Sequence, residues 1–391
     1  MTELLLIKYG EIALRGKNRP LYENMLISAI RKTTAKAGTY FVKKEQGRFL
    51  VEPVYGEPID YDAVVPLIQN VFGVVAICPG LKTEDQSPDS LKEMALAHMK
   101  AQYGDTPMTF KVETKRAVKK YPMVSQEISA AIGAHLLENM PNLTVNVQKP
   151  DVVVRMELRS AAYVYSKVIR GPGGLPFGSA GKAVLLLSGG LDSPVAGYFA
   201  AKRGLEIQAV YFHSPPYTSE RAKEKVMDLA ERLSMYTGKV ELFVVPFTAV
   251  QLHIAENAPP EKTTILLKRA MLHIASRIAK ESGALALVTG DSIGQVASQT
   301  LHALAAVNSA AALPVIRPLA CMDKIEIINV AERIGTYDIS IRPYDDCCTL
   351  FLPEHPETKP KASIIEAVEK RMPALEELMD TAVRGRERLQ F

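Results

Sequence analysis

No stretch of this 391-residue sequence approaches the roughly 18 to 20 apolar residues that cross a bilayer. Its start, Met1 to Lys8, carries neither a basic n-region nor a small-residue cleavage site. A membrane or secreted protein is therefore not expected; the cytoplasm is. Cysteine is also scarce. Cys78, Cys321, Cys347 and Cys348 show no C-x-x-C spacing that would clamp zinc, so neither a disulfide framework nor a zinc site is expected. The seven histidines form no metal-spaced or triad-like set, which leaves His213, His253 and His273 as structural residues. Internal repeats and low-complexity segments are absent, and so is a Walker A loop. Gly181-Lys182 is followed by Ala183 and has Pro176 where the first glycine belongs, which removes support for an ordinary ATP-hydrolysing NTPase.

What is present suits a folded chain of two or three domains: 47% apolar residues, with 47 Lys+Arg against 43 Asp+Glu. The net charge of +4 is unevenly spread, +5 over residues 1–180 and −1 over the rest, which points the first half toward a polyanion. A strand at 3–8, a helix at 22–36, a hairpin at 40–44 and 48–54 around Glu45-Gln46-Gly47, a helix at 62–72 and an apolar stretch at 74–78 follow. That order is the split βαβ, or ferredoxin-like, scaffold. A second α+β module runs to about Arg170, with helices at 88–102 and 125–139 and strands at 108–114, 143–148, 151–158 and 161–168. Lys111, Lys115, Arg116, Lys119 and Lys120 cluster in it beside Tyr121, whose ring can stack on a base. A solvated loop is the plain alternative. Gly171-Pro172-Gly173-Gly174 marks a boundary.

Beyond residue 180, strands at 183–187, 207–213, 239–246, 285–290 and 313–317 alternate with helices near 193–203, 218–236, 264–282, 294–308 and 323–334, and one more helix precedes the end. Such alternation builds a parallel sheet with helices on both faces, whose ligands bind at strand-to-helix turns. The first turn reads Leu187-Ser188-Gly189-Gly190-Leu191-Asp192-Ser193-Pro194. The glycines let backbone N–H groups approach an anion, the serines add hydroxyls, the helix dipole points at the same spot, and Pro194 suits a first helical turn. A carboxylate there repels pyrophosphate unless it binds a cation, so Asp192 is expected to hold Mg²⁺. Gly290 to Thr300 form a second strand–glycine–helix turn with polar residues able to hold a nucleotide. Lys324 opens a helix, where a cation is electrostatically misplaced unless it meets phosphate. Cys347 and Cys348 follow Asp345-Asp346; a loop thiol near Lys324 and the phosphate cradle is a nucleophile candidate.

Ser-Gly-Gly-Leu-Asp-Ser resembles the pyrophosphate loop of the PP-loop, adenine nucleotide α-hydrolase-like enzymes, which use ATP to adenylate a carbonyl oxygen. With Leu6 to Arg19, Phe110 to Pro122, the Gly290 to Thr300 turn and Met322-Asp323-Lys324, the whole chain resembles the tRNA 4-thiouridine sulfurtransferase (ThiI) family. The resemblance implies an α+β N-terminal half, ferredoxin-like plus THUMP, followed by an α/β parallel-sheet PP-loop domain. Their expected bounds are 1–60 (its last helix and strand reaching about 78), 61–168 for the tRNA-binding THUMP domain, a linker at 169–180, and 181–391. It implies ATP contacts at Leu186, Leu187, Ser188, Gly189, Gly190, Asp192, Ser193, Tyr211, Phe212, Lys268 (or Arg269 beside it), Gly290 and Gln299. Asp192 and Lys324 take the catalytic PP-loop roles, and Cys347 or Cys348 the sulfur-carrying one. It further implies a homodimer in which one subunit's N-terminal half grips the tRNA acceptor end while the other's catalytic domain modifies uridine 8. Longer members append a rhodanese-like domain that carries the persulfide; the sequence to Phe391 shows none. Sulfur is therefore expected directly from a separate cysteine desulfurase, and the family's thiamine-precursor role is placed in doubt. Two other readings remain at this level: a PP-loop synthetase acting on a small molecule, and a non-catalytic, nucleotide-regulated tRNA-binding protein.

Overall fold

The computed structural model describes residues 1–54, 56–117, 121–344 and 356–391. It divides into two compact units, Met1–Leu175 and Pro176–Phe391. In the first unit the chain runs β1 (Thr2–Tyr9), α1 (Arg19–Thr34), β2 (Tyr40–Glu45), β3 (Arg48–Pro53), α2 (Tyr61–Ile68) and β4 (Val74–Thr83). It continues through α3 (Pro88–Tyr103), β5 (Met108–Arg116), α4 (Ser125–Asn139), β6 (Leu143–Val145), β7 (Val152–Leu158), β8 (Ala162–Tyr165) and β9 (Ile169–Arg170).

Among the described residues these strands form one sheet in the order β2-β3-β1-β4-β8-β7-β5-β6, with β9 on β4. The β-α-β-β-α-β order read from the sequence is present, but it does not end a sheet. β4 pairs antiparallel with β1 along its length and with β8 through Gly80–Thr83, so the two modules share one hydrogen-bonded ladder. Gly80 allows this: a Cβ there would fall 2.3 Å from the Val164 carbonyl oxygen. The unbroken apolar run of β1 is explained by burial on both faces. Leu5 and Ile7 join Leu26, Ile30 and Ile68 under α1 and α2, while Leu4 and Leu6 meet Cys78, Tyr163 and Tyr165 on the other face. Ile169 and Arg170, placed in the linker by the sequence reading, pair with Ile77 and Ala76.

The second unit runs β10 (Lys182–Leu186), α5 (Asp192–Lys202), β11 (Glu206–His213), α6 (Glu220–Thr237), β12 (Glu241–Pro246), α7 (Thr248–Asn257), α8 (Thr263–Ser282) and β13 (Ala286–Val288). Then come α9 (Leu301–Asn308), β14 (Val315–Ile316), α10 (Lys324–Ile334), α11 (Tyr337–Ser340), α12 (Ala362–Glu369), α13 (Ala374–Arg384) and β15 (Glu387–Gln390). The sheet order is β14-β13-β10-β11-β12-β15, parallel except for β15. The chain enters at β10, moves outward through β11 and β12, and crosses back to β13, so the order reverses beside β10. Its carboxyl end is thereby the crevice where such sheets take ligands. The C-terminal segment differs from the single helix expected: α12 and α13 pack on the core through Ile365, Leu375 and Met379, and β15 closes the edge beside β12. The helix expected at 294–308 begins only at Leu301, where the Thr300 hydroxyl accepts from Ala303 N (3.1 Å) and caps it.

His98 is buried in the first unit, its Nε2 2.8 Å from Ser166 Oγ, which also accepts from Tyr103 Oη. Burial first, and then the Lys167 charge, pushes its pKa from 6.5 down to about 4. The folded ring stays neutral where the unfolded one charges, so the stability it supports is complete above about pH 6.5 and is lost as the pH falls toward 4. The shift corresponds to as much as roughly 3 kcal/mol. Urea midpoints measured across this window should fall for the wild type, and the slope should flatten in His98→Gln.

Candidate functional site

The site starts from two serines that close the loop after β10. Ser193 Oγ accepts from Ser188 N (2.8 Å) and lies 3.1 Å from Ser188 Oγ, while Gly190 N donates to Ser188 Oγ (3.3 Å). Neither Gly189 nor Gly190 has positive φ, so neither glycine answers a left-handed backbone. The glycine demanded by packing is Gly290, just past β13. A Cβ there would meet Ser193 N at 2.7 Å and the Asp192 carbonyl carbon at 2.8 Å, so the end of β13 rests directly on the first turn of α5.

Asp192 is the first residue of α5 and Lys324 the first of α10, and their side chains meet at 2.6 Å. Each terminus is the positive end of a helix dipole, which suits the aspartate and opposes the lysine. Asp192 and the Asp323–Glu326 capping box offset that opposition.

Leu186, Leu187, Ser188, Asp192, Ser193, Tyr211, Phe212, Lys268, Gly290 and Gln299 all line one open cavity. Gly189 and Gly190 lie in the loop beside it. Of the two basic neighbours on α8, Lys268 faces the cavity. Arg269, one residue further round the helix, is buried and spent on Glu369 (2.6 Å) and the Ala306 carbonyl (2.6 Å).

Sequence reasoning missed the group that organises one wall. Asp291 receives Lys268 (3.2 Å), Arg317 (3.4 Å), the Thr289 hydroxyl (2.8 Å) and Gln299 Nε2 (3.4 Å). Burial alone would raise its pKa; the charges of Lys268 and Arg317 and the Thr289 hydrogen bond outweigh it and hold the carboxyl below its ordinary value. Met271, Leu272 and Val307 add apolar wall, again unassigned from sequence. The signal for the first two was available, since they lie three and four residues beyond Lys268 on α8.

The first unit holds a second cavity, mainly cationic: Lys8, Arg48, Lys115, Arg116 and Arg159 line it against one carboxylate, Glu157. Lys8 and Arg48 lie directly opposite each other on β1 and β3, a like-charge pairing that weakens a sheet. Tyr165 Oη accepts from Lys8 (2.7 Å), and Glu157 takes Arg48 Nη1 (2.7 Å), while Arg48 Nη2 is buried with no hydrogen-bond partner among the described residues. Of the linear basic cluster, Lys115 and Arg116 reach this cavity, and Lys111 instead pairs with Glu113 (2.7 Å). Arg116 also holds the carbonyls of Tyr121 and Met123. Tyr121 does not present itself as a stacking ring: its hydroxyl donates to the Gln86 carbonyl (2.6 Å) and its ring packs on the core beneath α3 and α4. Lys119, Lys120, Cys347 and Cys348 lie outside the described residues.

The description Thiamine biosynthesis protein (ThiI) matches residues 178–373, the ThiI ferredoxin-like domain 4–78 and the THUMP domain 85–167. A probable tRNA sulfurtransferase of Lachnoclostridium phytofermentans is 49% identical over 99% of both chains. The chain belongs to the ThiI family. Another probable tRNA sulfurtransferase, from Thermoanaerobacter pseudethanolicus, is 50% identical over 95% of this chain and 96% of its own. A 4-thiouridine synthetase solved as an RNA complex with bound ATP is similar over 100% of both chains, at 39% identity and a TM-score of 0.92. PH1313 from Pyrococcus horikoshii shares the fold, with a TM-score of 0.64 over 85% of this chain and 99% of that one. No helix among the described residues of this ThiI-family chain is long and apolar enough to cross a membrane, and no cluster of three or more His, Cys, Asp or Glu there is placed to hold a metal.

If Gly290 is held glycine by its contact with α5, Gly290→Ala should displace the phosphate loop. Calorimetric ATP affinity is expected to fall by at least about tenfold, with a stability loss of only about 1–3 kcal/mol.

Proposed function

We propose that this chain is an ATP-dependent tRNA sulfurtransferase that converts uridine 8 to 4-thiouridine. The observation that carries the reading is the cavity that gathers the phosphate loop, Asp192 and an apolar wall, with Lys324 paired to Asp192. The full-length likeness to a 4-thiouridine synthetase with ATP and RNA supports it. In this reading the apolar wall holds the adenosine, and the loop from Ser188 to Ser193, at the positive end of the α5 dipole, holds the phosphates. Uridine O4 attacks the α-phosphorus, the bond to the β-phosphate bridging oxygen breaks, and pyrophosphate leaves. Lys324 meets the charge that develops on the leaving group, and Asp192 holds Lys324 in place until the nucleotide arrives. Asp192, a carboxylate at the mouth of the loop, is the residue that would hold Mg²⁺ together with phosphate oxygens, and that ion would supply further charge neutralisation.

A persulfide on Cys347 or Cys348, loaded by a separate cysteine desulfurase, then attacks C4 through its terminal sulfur. The C–S bond forms, the C4–O bond breaks and AMP departs. The other thiol attacks the carrier sulfur and releases 4-thiouridine, leaving a disulfide that an external thiol reductant returns to two thiols. The cationic cavity of the first unit takes tRNA phosphates, which explains why Lys8 and Arg48 are kept opposite one another. A cytoplasmic homodimer, with tRNA gripped by one subunit and modified by the other, belongs to the same proposal.

Asp192→Ala should abolish 4-thiouridine in nucleoside mass spectrometry of tRNA incubated with ATP, Mg²⁺ and a persulfide donor, with tRNA affinity nearly unchanged; full activity would refute the assignment. Cys347→Ser should block thiolation while tRNA adenylation, measured as pyrophosphate release from ATP, persists. Replacing Lys115 and Arg159 by Gln should weaken tRNA binding and reduce the slope of log K against log salt by about 2, with ATP affinity unchanged. A small-molecule synthetase would not respond to that last change.

A further inference from the structure

Gln299 lines the nucleotide cavity and is only 8% exposed, yet its Oε1 has no hydrogen-bond partner among the described residues. A buried carbonyl oxygen left unpaired is costly, so it is poised to accept from whatever enters the cavity. The sense of the amide is not free. Its Nε2 faces Asp291 Oδ1, and a carboxylate has no hydrogen to give, so turning the amide over would oppose two acceptors. Asp291 cannot turn either, being held by Lys268 (3.2 Å), Arg317 (3.4 Å) and the Thr289 hydroxyl (2.8 Å).

ATP near neutral pH offers donors in two places, the ribose hydroxyls and the exocyclic amine of adenine. Position decides between them. Asp291 directly follows Gly290, whose backbone rests on Asp192 and Ser193 at the phosphate end. Phe212 belongs to β11, on the opposite side of β10 from β13. Gln299, tied to Asp291, therefore faces the part of the nucleotide next to the phosphates, which is the sugar. We propose that Asp291 is a positioning residue that locks Gln299 with its carbonyl oxygen toward the ribose, so that the cavity selects ribonucleoside over deoxyribonucleoside triphosphates. This rests on the reading of the cavity as an ATP site.

The test is equilibrium binding, by calorimetry, of ATP, 2′-deoxyATP, 3′-deoxyATP and inosine triphosphate to the full chain, wild type and the variants Gln299→Met and Asp291→Asn. The wild type should bind at least one deoxy analogue roughly tenfold more weakly than ATP, because the missing hydroxyl leaves Oε1 unpaired. In Gln299→Met, which has no acceptor, and in Asp291→Asn, whose amide tolerates either sense of Gln299, that preference should shrink to about twofold or less. Equal weakening of every nucleotide with the preference intact would reduce both residues to packing and overturn the proposal. So would a wild type that binds ATP and both deoxy analogues alike, or variants that lose the preference for ATP over inosine triphosphate instead. A wild type that binds none of the four overturns the ATP-site reading itself, and the proposal with it.

Discussion

The contact between the backbone at Gly290 and the first turn of α5 sets the geometry of the catalytic unit. Two strands that are neighbours in the sheet, β13 and β10, end at the same height, and the absence of a Cβ brings their loops into van der Waals contact. The positive end of the α5 dipole is then placed over the crevice at the point where strand order reverses. Gly197 serves the same end from beneath, since a Cβ there would fall 2.6 Å from Leu185 Cδ2, and its absence lets α5 lie close against β10. The phosphate loop is therefore a product of packing as much as of its own residues.

Charge is treated alike in both units. Lys324 at a helix N-terminus and Lys8 opposite Arg48 are each placed where the fold alone would disfavour a cation. Each is quieted by an internal partner, Asp192 in one case and the Tyr165–Glu157 pair in the other. In the proposed reading such sites are pre-arranged for a polyanion, because binding replaces a compromise with a full-strength interaction and needs little reorganisation. Asp291 performs the complementary task, keeping Lys268 and Arg317 fixed at the cavity wall.

Much of this was legible in the residues. The β-α-β-β-α-β order, the buried strand before Ser188 and the Pro194 helix start follow from local periodicity, turn chemistry and resemblance, whereas the choice between Lys268 and Arg269 stayed open. α7 was not, because Val250 and Ile254 provide too short an apolar stripe to mark a helix. Tyr121 was misread because a hydroxyl bond to Gln86, 35 residues away, cannot be inferred from its basic neighbours. Asp291 and Arg317 passed unassigned because what makes them a pair is the adjacency of β13 and β14, a fact of strand order.

What the sequence determined by itself is every feature whose physics is complete within a few residues: serine hydroxyls at a turn, a helix start marked by Pro194, alternation of strand and helix. What the tertiary structure alone decided is which distant charges meet. Asp192 and Lys324 stand 132 residues apart and Arg48 and Glu157 109 apart. Electrostatic pairing depends on separation in space, and that separation was set by the order of strands and by which glycine lets two backbones touch.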